Sequence, residues 1–339
     1  MKKIIIIILI LLLVLGAGIA FYLYSVAYTG FNIDKTVYIY VDADKNYERL
    51  LEQVKDSAKV ENADNFDLIA DKLDYKDNLR TGRYAVKPGM TVLDLVRTLR
   101  NGNQTPTKLT FNNIRTKEDL AERIAEQLML SEDDLLLMLN DEAKCRELGF
   151  NKQTVVAMFI PNTYEFYWDI KLDTFLERMQ KEYNKFWTEA RRSKAKAMDL
   201  SLVDVSTLAS IVEEECYYPD EYPTVAGLYY NRLRKGMLLQ ADPTVKFAIG
   251  DFSLQRVLNK HLEVNSPYNT YKHAGLPPGP IRVPSIKGID SVLDYKKNNY
   301  LYMCAKEDFS GRHNFATTLA DHNKNADKYR AALNRRKIY

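Results

Sequence analysis

Residues 4–23 form an unbroken apolar run behind Met1-Lys-Lys3, and no charge follows until Asp34. Roughly 20 apolar residues span the hydrocarbon core of a bilayer as a single helix, so a transmembrane helix is expected over residues 4–24. The lysines before it and the large domain after it place residues 1–3 in the cytoplasm. The rest of the chain then lies outside the cytoplasmic (inner) membrane, in the periplasm or its equivalent. Tyr22, Tyr24 and Tyr28 suit an interfacial aromatic belt at the far end of the run. A cleavable signal peptide competes with this reading, because Ser25-Val-Ala27 offers the small residues of a cleavage site. Against it, the run exceeds the about 7 to 15 residues usual for a signal-peptide apolar region.

The 339-residue chain leaves room for about two soluble domains after the anchor. Lys+Arg 48 against Asp+Glu 45 gives a net charge of +3, too small to draw the chain to nucleic acid, and none is expected as a partner. Cys145, Cys216 and Cys304 are odd in number and lack CxxC spacing, which argues against a disulfide framework. His261, His273, His313 and His322 do not combine with them at metal-ligand spacings, so no metal and no cofactor are expected. The 23 tyrosines suit a protein that handles a polar, partly planar ligand such as a carbohydrate.

The expected fold class is α+β: a small mixed module at residues 35–105 and a larger, mostly helical domain with short strands at residues 106–339. In the first, residues 36–41 alternate as a strand, residues 46–60 carry a helical period, and residues 82–91 read as strand, turn and cap. Thr91 with Asp94 forms a capping signal for a helix that ends at Asn101-Gly102. Gln104-Thr-Pro-Thr107 reads as a linker. In the second, Thr116-Lys-Glu-Asp119 caps a helical stretch over residues 117–139, residues 159–166 are an aromatic loop or strand, and residues 172–195 read as one long helix. Helices are also expected at residues 206–216 and from Pro223 to about Gly236, with loops and short strands from residue 265 onward folded back over the site.

The segment Ala209-Ser-Ile-Val-Glu-Glu-Glu-Cys216 concentrates the chemistry. At 100° per residue, Leu208, Ile211, Val212 and Glu215 share a stripe while Glu213 and Glu214 point away, toward solvent. A carboxyl in an apolar stripe beside two like charges has its ionised form disfavoured, so the Glu215 pKa should rise and the group should donate a proton near neutral pH.

Several motifs stand in order: Ala209-Ser-Ile-Val-x-x-Glu215, Asn231-Arg-Leu233, Gly236-Met237, Leu239-Gln-x-Asp-Pro-Thr-Val245, Tyr268-Asn-Thr-Tyr271, Gly275-Leu-Pro-Pro-Gly-Pro-Ile281 and His313-x-Phe315. Together they resemble the endolytic murein transglycosylase family (MltG or YceG-like), over essentially the whole chain. The resemblance implies a LysM-like subdomain at residues 35–105 and a catalytic domain at residues 106–339. It implies cleavage of the MurNAc-β-1,4-GlcNAc bond inside peptidoglycan strands without water, leaving 1,6-anhydro-MurNAc ends. Glu215 matches the catalytic glutamate. The residue chemistry agrees, because hydrolases usually need two carboxylates whereas a lytic enzyme needs one. The resemblance further implies trimming or termination of nascent strands at the membrane, with cell-wall synthases as partners.

Supporting substrate contacts are open to two readings each. Asn231 and Gln240 suit N-acetyl or hydroxyl groups of the glycan, while Asp242 is either a substrate contact or a helix cap or turn former before Pro243. Arg232 either meets substrate carboxylates or caps its helix. Tyr268, Asn269 and Tyr271 offer aromatic faces and an amide to sugar rings, or serve a turn. His313 is either a substrate contact or a structural hydrogen-bonding residue. The chain departs from the family pattern at Ala241, where a hydroxyl residue is common, at Cys216, and at residues 112–116, which lack the usual Glu-Gly. Rival readings are a cysteine peptidase using Cys216 with His273 or His313, a non-catalytic membrane-tethered peptidoglycan-binding scaffold, and a muramidase-type hydrolase.

Overall fold

The computed structural model describes residues 2–254 and 256–336. Met1, Gln255 and residues 337–339, which fall in the segments assigned above to the N-terminal tip and the second domain, lie outside the described residues. Helices take up about half of the chain and the strands are few and short, an α+β architecture. Two compact units emerge. The first comprises residues 1–109, 126–130 and 164–171, and the second comprises residues 110–125, 131–163 and 172–339.

The first unit opens with helix α1 (Lys2–Ala27), whose residues 3–27 form a helix long and apolar enough to cross a membrane. Its aliphatic side chains are exposed from Ile4 through Leu15. The end of α1 is tied into the unit that follows. Val26 is buried, the Thr29 carbonyl accepts from Val92 N–H at 2.9 Å, and the Thr29 hydroxyl accepts from Asn65 Nδ2 at 2.7 Å. The Ser25-Val-Ala27 segment is therefore helical and partly packed rather than an open, extended stretch.

Strand β1 (Val37–Val41), helices α2 (Tyr47–Asp56) and α3 (Ala63–Lys72), strand β2 (Gly82–Val86) and helix α4 (Val92–Asn101) complete the core of this unit. β1 and β2 pair antiparallel, Val37 opposite Val86 and Val41 opposite Gly82. Alternation along β1 sends Ile39 and Val41 inward onto Leu50, Val54, Phe66, Tyr84 and Leu95, and leaves Tyr38 and Tyr40 outside. The Thr91–Asp94 capping box and a left-handed Gly102 bound α4 as its sequence indicates.

Strand β3 (Thr107–Thr110) pairs with β4 (Thr163–Phe166), and helices α5 (Lys117–Ala125), α6 (Glu132–Leu139) and α7 (Glu142–Glu147) lie between them in sequence. The single helical stretch expected over residues 117–139 is thus two helices, the second started by Ser131 as N-cap. The long helix expected over residues 172–195 is likewise two, α8 (Leu172–Phe186) and α9 (Glu189–Ala197). Thr188 takes an extended conformation and accepts from Arg191 N–H, which starts a new helix after buried Trp187.

Helix α10 (Leu202–Glu215) is the centre of the second unit and packs against α9, α11 (Tyr222–Arg234), α12 (Asp242–Ile249) and α13 (Ile286–Leu293). Every residue from Val205 to Glu213 is buried, so α10 has no solvated face. Its small polar residues bond internally or to a neighbour: Ser206 and Ser210 donate to the Leu202 and Thr207 carbonyls, and Ser210 Oγ accepts from Ile281 N–H. On α11, a Cβ at Gly227 would stand 2.4 Å from the Lys296 carbonyl oxygen, so only glycine lets that loop lie against the helix. Strands β5 (Tyr302–Ala305) and β6 (His313–Ala316) pair antiparallel, and helix α14 (Leu319–Arg335) ends the described chain. The region after residue 265 therefore contains two helices besides the expected loops and strands. Ser285 and Thr318 are their N-caps.

Candidate active site

The last turn of α10 opens into a pocket of ≈ 270 Å³ lined by Glu215, Tyr229, Arg232, Gln240, Asp242, Tyr271 and His313, with Leu228, Leu239 and residues 303–305 of β5. Tyr229 Oη donates to Glu215 Oε1 at 2.7 Å. Burial is the main influence on this carboxyl, whose pKa rises to about 7; the Tyr229 hydrogen bond pulls the other way, and the Asp242 charge pushes it further up. The like charge acting on Glu215 thus comes from Asp242, across the pocket, rather than from its sequence neighbours.

Those neighbours depart from the solvent-facing placement their helical period suggests. Glu213 is buried; it accepts from Ser285 N–H at 3.1 Å and from the Ser285 hydroxyl, with Arg282 Nε 3.6 Å away. Glu214, half-buried, accepts from Arg115 Nη2 at 3.0 Å and from Arg282 Nη1 at 2.7 Å. Because α10 is enclosed on all sides, a carboxylate on any face of it needs a partner, and the cations come from residues distant in sequence.

The other expected site residues divide. Gln240, Asp242, Tyr271, Arg232 and His313 reach the pocket, whereas Asn231, Tyr268 and Asn269 do not line it. Asp242 is the first residue of α12 but not its cap, since Ala241 occupies that position without a side-chain bond. Instead its carboxylate accepts from Tyr271 Oη at 2.6 Å. Burial and that carboxylate push the Tyr271 phenol up, keeping it a donor. Arg232 is buried, and among the described residues it neither caps α11 nor pairs with a carboxylate. Its Nε donates to the Leu301 carbonyl at 2.6 Å, and its Nη1 donates to the Leu239 carbonyl at 2.8 Å and to Gln240 Oε1 at 3.3 Å. It ties β5 and the Gln240 turn to α11, and Gln240 itself holds a left-handed φ of 52°.

Asn231 Nδ2 donates to the Asn298 and Tyr300 carbonyls, holding the loop that crosses Gly227. Asn269 is fully buried and donates to the Leu262 and Val264 carbonyls while accepting from Tyr271 N–H, so it builds the turn that presents Tyr271. Tyr268 packs against Phe247 at a tilt of 47°, 4.8 Å between centroids, in a different cavity. His313 Nδ1 lies 3.2 Å from Glu221 Oε2, and its backbone N–H donates to Glu221 Oε1 at 3.1 Å. Buried Glu221 therefore fixes both the strand end and the ring.

Leu228, Tyr229 and residues 303–305 are the pocket residues the motifs passed over. Tyr229 stands three residues before Arg232 on α11, a spacing that puts both on one face. The β5 residues carry no local signal. Cys216 is buried, and burial together with Glu215 and Glu221 pushes its thiol up, which leaves it protonated and unsuited to nucleophilic attack.

Replacing Tyr229 by phenylalanine removes a hydrogen bond that favours the ionised Glu215. The Glu215 pKa is expected to climb further, moving the alkaline limb of the rate profile upward, while turnover falls roughly tenfold as the carboxyl loses its anchor. A pH–rate profile of Tyr229→Phe beside the parent chain checks this; an unshifted limb would remove Tyr229 from the site.

A family model described as the YceG-like family matches residues 39–328. The chain is 32% identical over 271 residues to an endolytic murein transglycosylase of Bacillus subtilis (strain 168), covering 75% of this chain and 74% of that one. It is 25% identical over 328 residues to an endolytic murein transglycosylase of Streptococcus pneumoniae serotype 2, covering 88% of this chain but 59% of that longer protein. The crystal structure of a yceG-like protein from Listeria monocytogenes matches with a TM-score of 0.57 and 28% identity, over 86% of this chain and 99% of the other. With most of its length under one family model and a pocket assembled from that family's motifs, the chain belongs to the YceG-like family.

Proposed function

We propose that this chain is a membrane-anchored endolytic peptidoglycan lytic transglycosylase that cleaves the MurNAc-β-1,4-GlcNAc bond within glycan strands. The observation that carries the reading is the Glu215 carboxyl, held at the end of α10 in a pocket where burial keeps it protonated close to neutral pH. Protonated Glu215 gives its proton to the glycosidic oxygen as the bond from C1 to that oxygen breaks. The resulting carboxylate takes the proton of the C6 hydroxyl, whose oxygen bonds to C1. One strand leaves with a free 4-hydroxyl, the other with a 1,6-anhydro-MurNAc end, and Glu215 is protonated again. The names of the curated relatives support the same chemistry.

Asp242 in the same pocket gives the muramidase reading a specific basis, since two carboxylates could share the work of a hydrolase. Its bond from Tyr271 and its effect on Glu215 favour a different part: keeping Glu215 protonated and facing the positive charge that develops at C1. Mass spectrometry of strands released from purified sacculi separates the readings. Anhydro ends are expected; reducing ends would assign a hydrolase, and no release would leave a scaffold.

The anchor would be α1, with residues 1–3 in the cytoplasm and the chain after α1 on the outer side of the cytoplasmic membrane. The first unit, with its β1-α2-α3-β2 order and outward Tyr38 and Tyr40, would serve as a LysM-like glycan-binding module. Residues 106–339 would be the catalytic domain. Placement beside the membrane suits trimming or terminating nascent strands, with cell-wall synthases as partners.

A further inference from the structure

A second cavity of ≈ 500 Å³ lies in the same unit as the Glu215 pocket, lined by an aromatic group of Phe247, Phe252 and Tyr268 and by the cationic side chains Arg115, Lys117 and Lys152. Helix α12 belongs to both sites. Its first residue, Asp242, faces the Glu215 pocket, and Phe247 and the C-cap Gly250 line the second cavity, about 8 and about 12 Å further along at the α-helical rise. That separation corresponds to a short run of sugar rings.

The aromatic group is built as a platform. Phe247 lies between Tyr268 and Phe252, with centroids 4.8 and 6.3 Å away, and the Arg115 guanidinium sits 5.2 Å from the Phe252 ring. The charges in the lining are unevenly balanced. Arg115 is already paired with Glu214, and Glu118, exposed, is the one acid in the lining. Lys117 donates only to neutral oxygens, the Leu139 carbonyl at 2.6 Å and Asn140 Oδ1 at 2.8 Å, and no carboxylate is paired with exposed Lys152 among the described residues. Apolar ring faces beside net positive charge fit a pyranose that carries a carboxylate-bearing substituent.

We propose that this cavity is a remote subsite for the same peptidoglycan strand, in which Phe247, Phe252 and Tyr268 hold a sugar ring and Lys117 and Lys152 hold a carboxylate of its stem peptide. The assignment rests on the function proposed above and gives the enzyme a preference for peptide-bearing over bare glycan. It also assigns Tyr268 a contact with glycan away from the bond that is cut. Arg115 joins the two sites, since it lines the subsite and pairs with Glu214, the residue before Glu215.

The test is binding of full-length protein in detergent to glycan strands with stem peptides and to strands stripped of them by an amidase. A Glu215→Gln background prevents cleavage. Adding Lys152→Glu should weaken binding of peptide-bearing strands about tenfold and leave stripped strands within about twofold, whereas Phe252→Ala should weaken both. Lys152 is exposed, so its replacement leaves the fold intact, and thermal melting of the Phe252→Ala protein separates a lost contact from a lost fold. Equal effects of Lys152→Glu on both strands, or none on either, would overturn the proposal. Cleavage by the parent chain, assayed in parallel, reports on the Glu215 assignment independently.

Discussion

Glu215→Gln is expected to lower the yield of anhydro-terminated products by about three orders of magnitude, within the range contributed by a positioned general acid. The amide keeps the shape of the carboxyl and can still accept from Tyr229, but it can neither deliver a proton to the glycosidic oxygen nor take one from the C6 hydroxyl. Because the native pKa is about 7 against an ordinary value of 4.5, the parent enzyme should lose activity as pH rises through about 7, and the variant should show no such limb. The same shift acts on stability. Folded Glu215 binds its proton more tightly than the unfolded chain does, so the contribution of this group to folding stability is fully present below about 4.5 and is lost as pH rises through about 7. At pH 8 the ionised, buried carboxylate costs on the order of 2–3 kcal/mol, which Gln does not incur. Glu215→Gln should therefore melt higher than the parent chain at pH 8 and nearly level with it at pH 4.5. Product analysis by mass spectrometry and melting at the two pH values check both halves; an active variant would remove Glu215 from the chemistry.

The elements legible in the sequence were those specified locally. Thr91 with Asp94, and Thr116 with Asp119, make the reciprocal capping bonds their spacing announces, and Gly102 ends α4 in the left-handed conformation. Local reading failed where a long-range partner decides. Period alone placed Glu213 and Glu214 in solvent, because nothing near them in sequence reveals Arg282, Arg115 or Ser285. The helices at residues 286–293 and 319–335 were hidden behind Pro-, Gly- and Asn-rich neighbours. In α14 the buried side chains are too sparse to give an apolar stripe, although the Thr318 hydroxyl accepts from Asp321 N–H as Thr91 does from Asp94 N–H at α4. In the pocket, motif order located Glu215, Gln240, Asp242, Tyr271 and His313. It could not separate them from Asn231 and Asn269, polar residues in the same motifs whose bonds hold the backbone that presents the others.

Arg282→Met is expected to destabilise the second unit by about 3 kcal/mol, the scale of removing one partner from a buried ion pair. Its side chain is 15% exposed; the guanidinium donates to Glu214 Oε1 at 2.7 Å and Asn113 Oδ1 at 2.8 Å and stands 3.6 Å from the Glu213 carboxylate as an ion pair. Met fills a similar volume without the charge. Glu214 then retains only Arg115, and Glu213, with 4% of its side chain exposed, retains neutral Ser285 donors for a full negative charge. A loss of this size should lower Tm by roughly 6–12 °C for a unit of this length. Adding Glu213→Gln removes the stranded charge, so the double variant should recover part of the loss. A double variant no more stable than Arg282→Met would show that lost packing, rather than unpaired charge, is responsible. The same substitution reaches the chemistry. Arg282, Arg115 and Ser285 clamp the two glutamates immediately before Glu215, and a carboxyl displaced by even about 1 Å from its acceptor can lose much of its rate advantage. Arg282→Met should thus cut turnover several-fold at temperatures where the protein remains folded, with the pH of half-maximal activity little changed, because Glu215 keeps its burial, Tyr229 and Asp242. Turnover equal to that of the parent chain would mean that the last turn of α10 holds its position without the clamp.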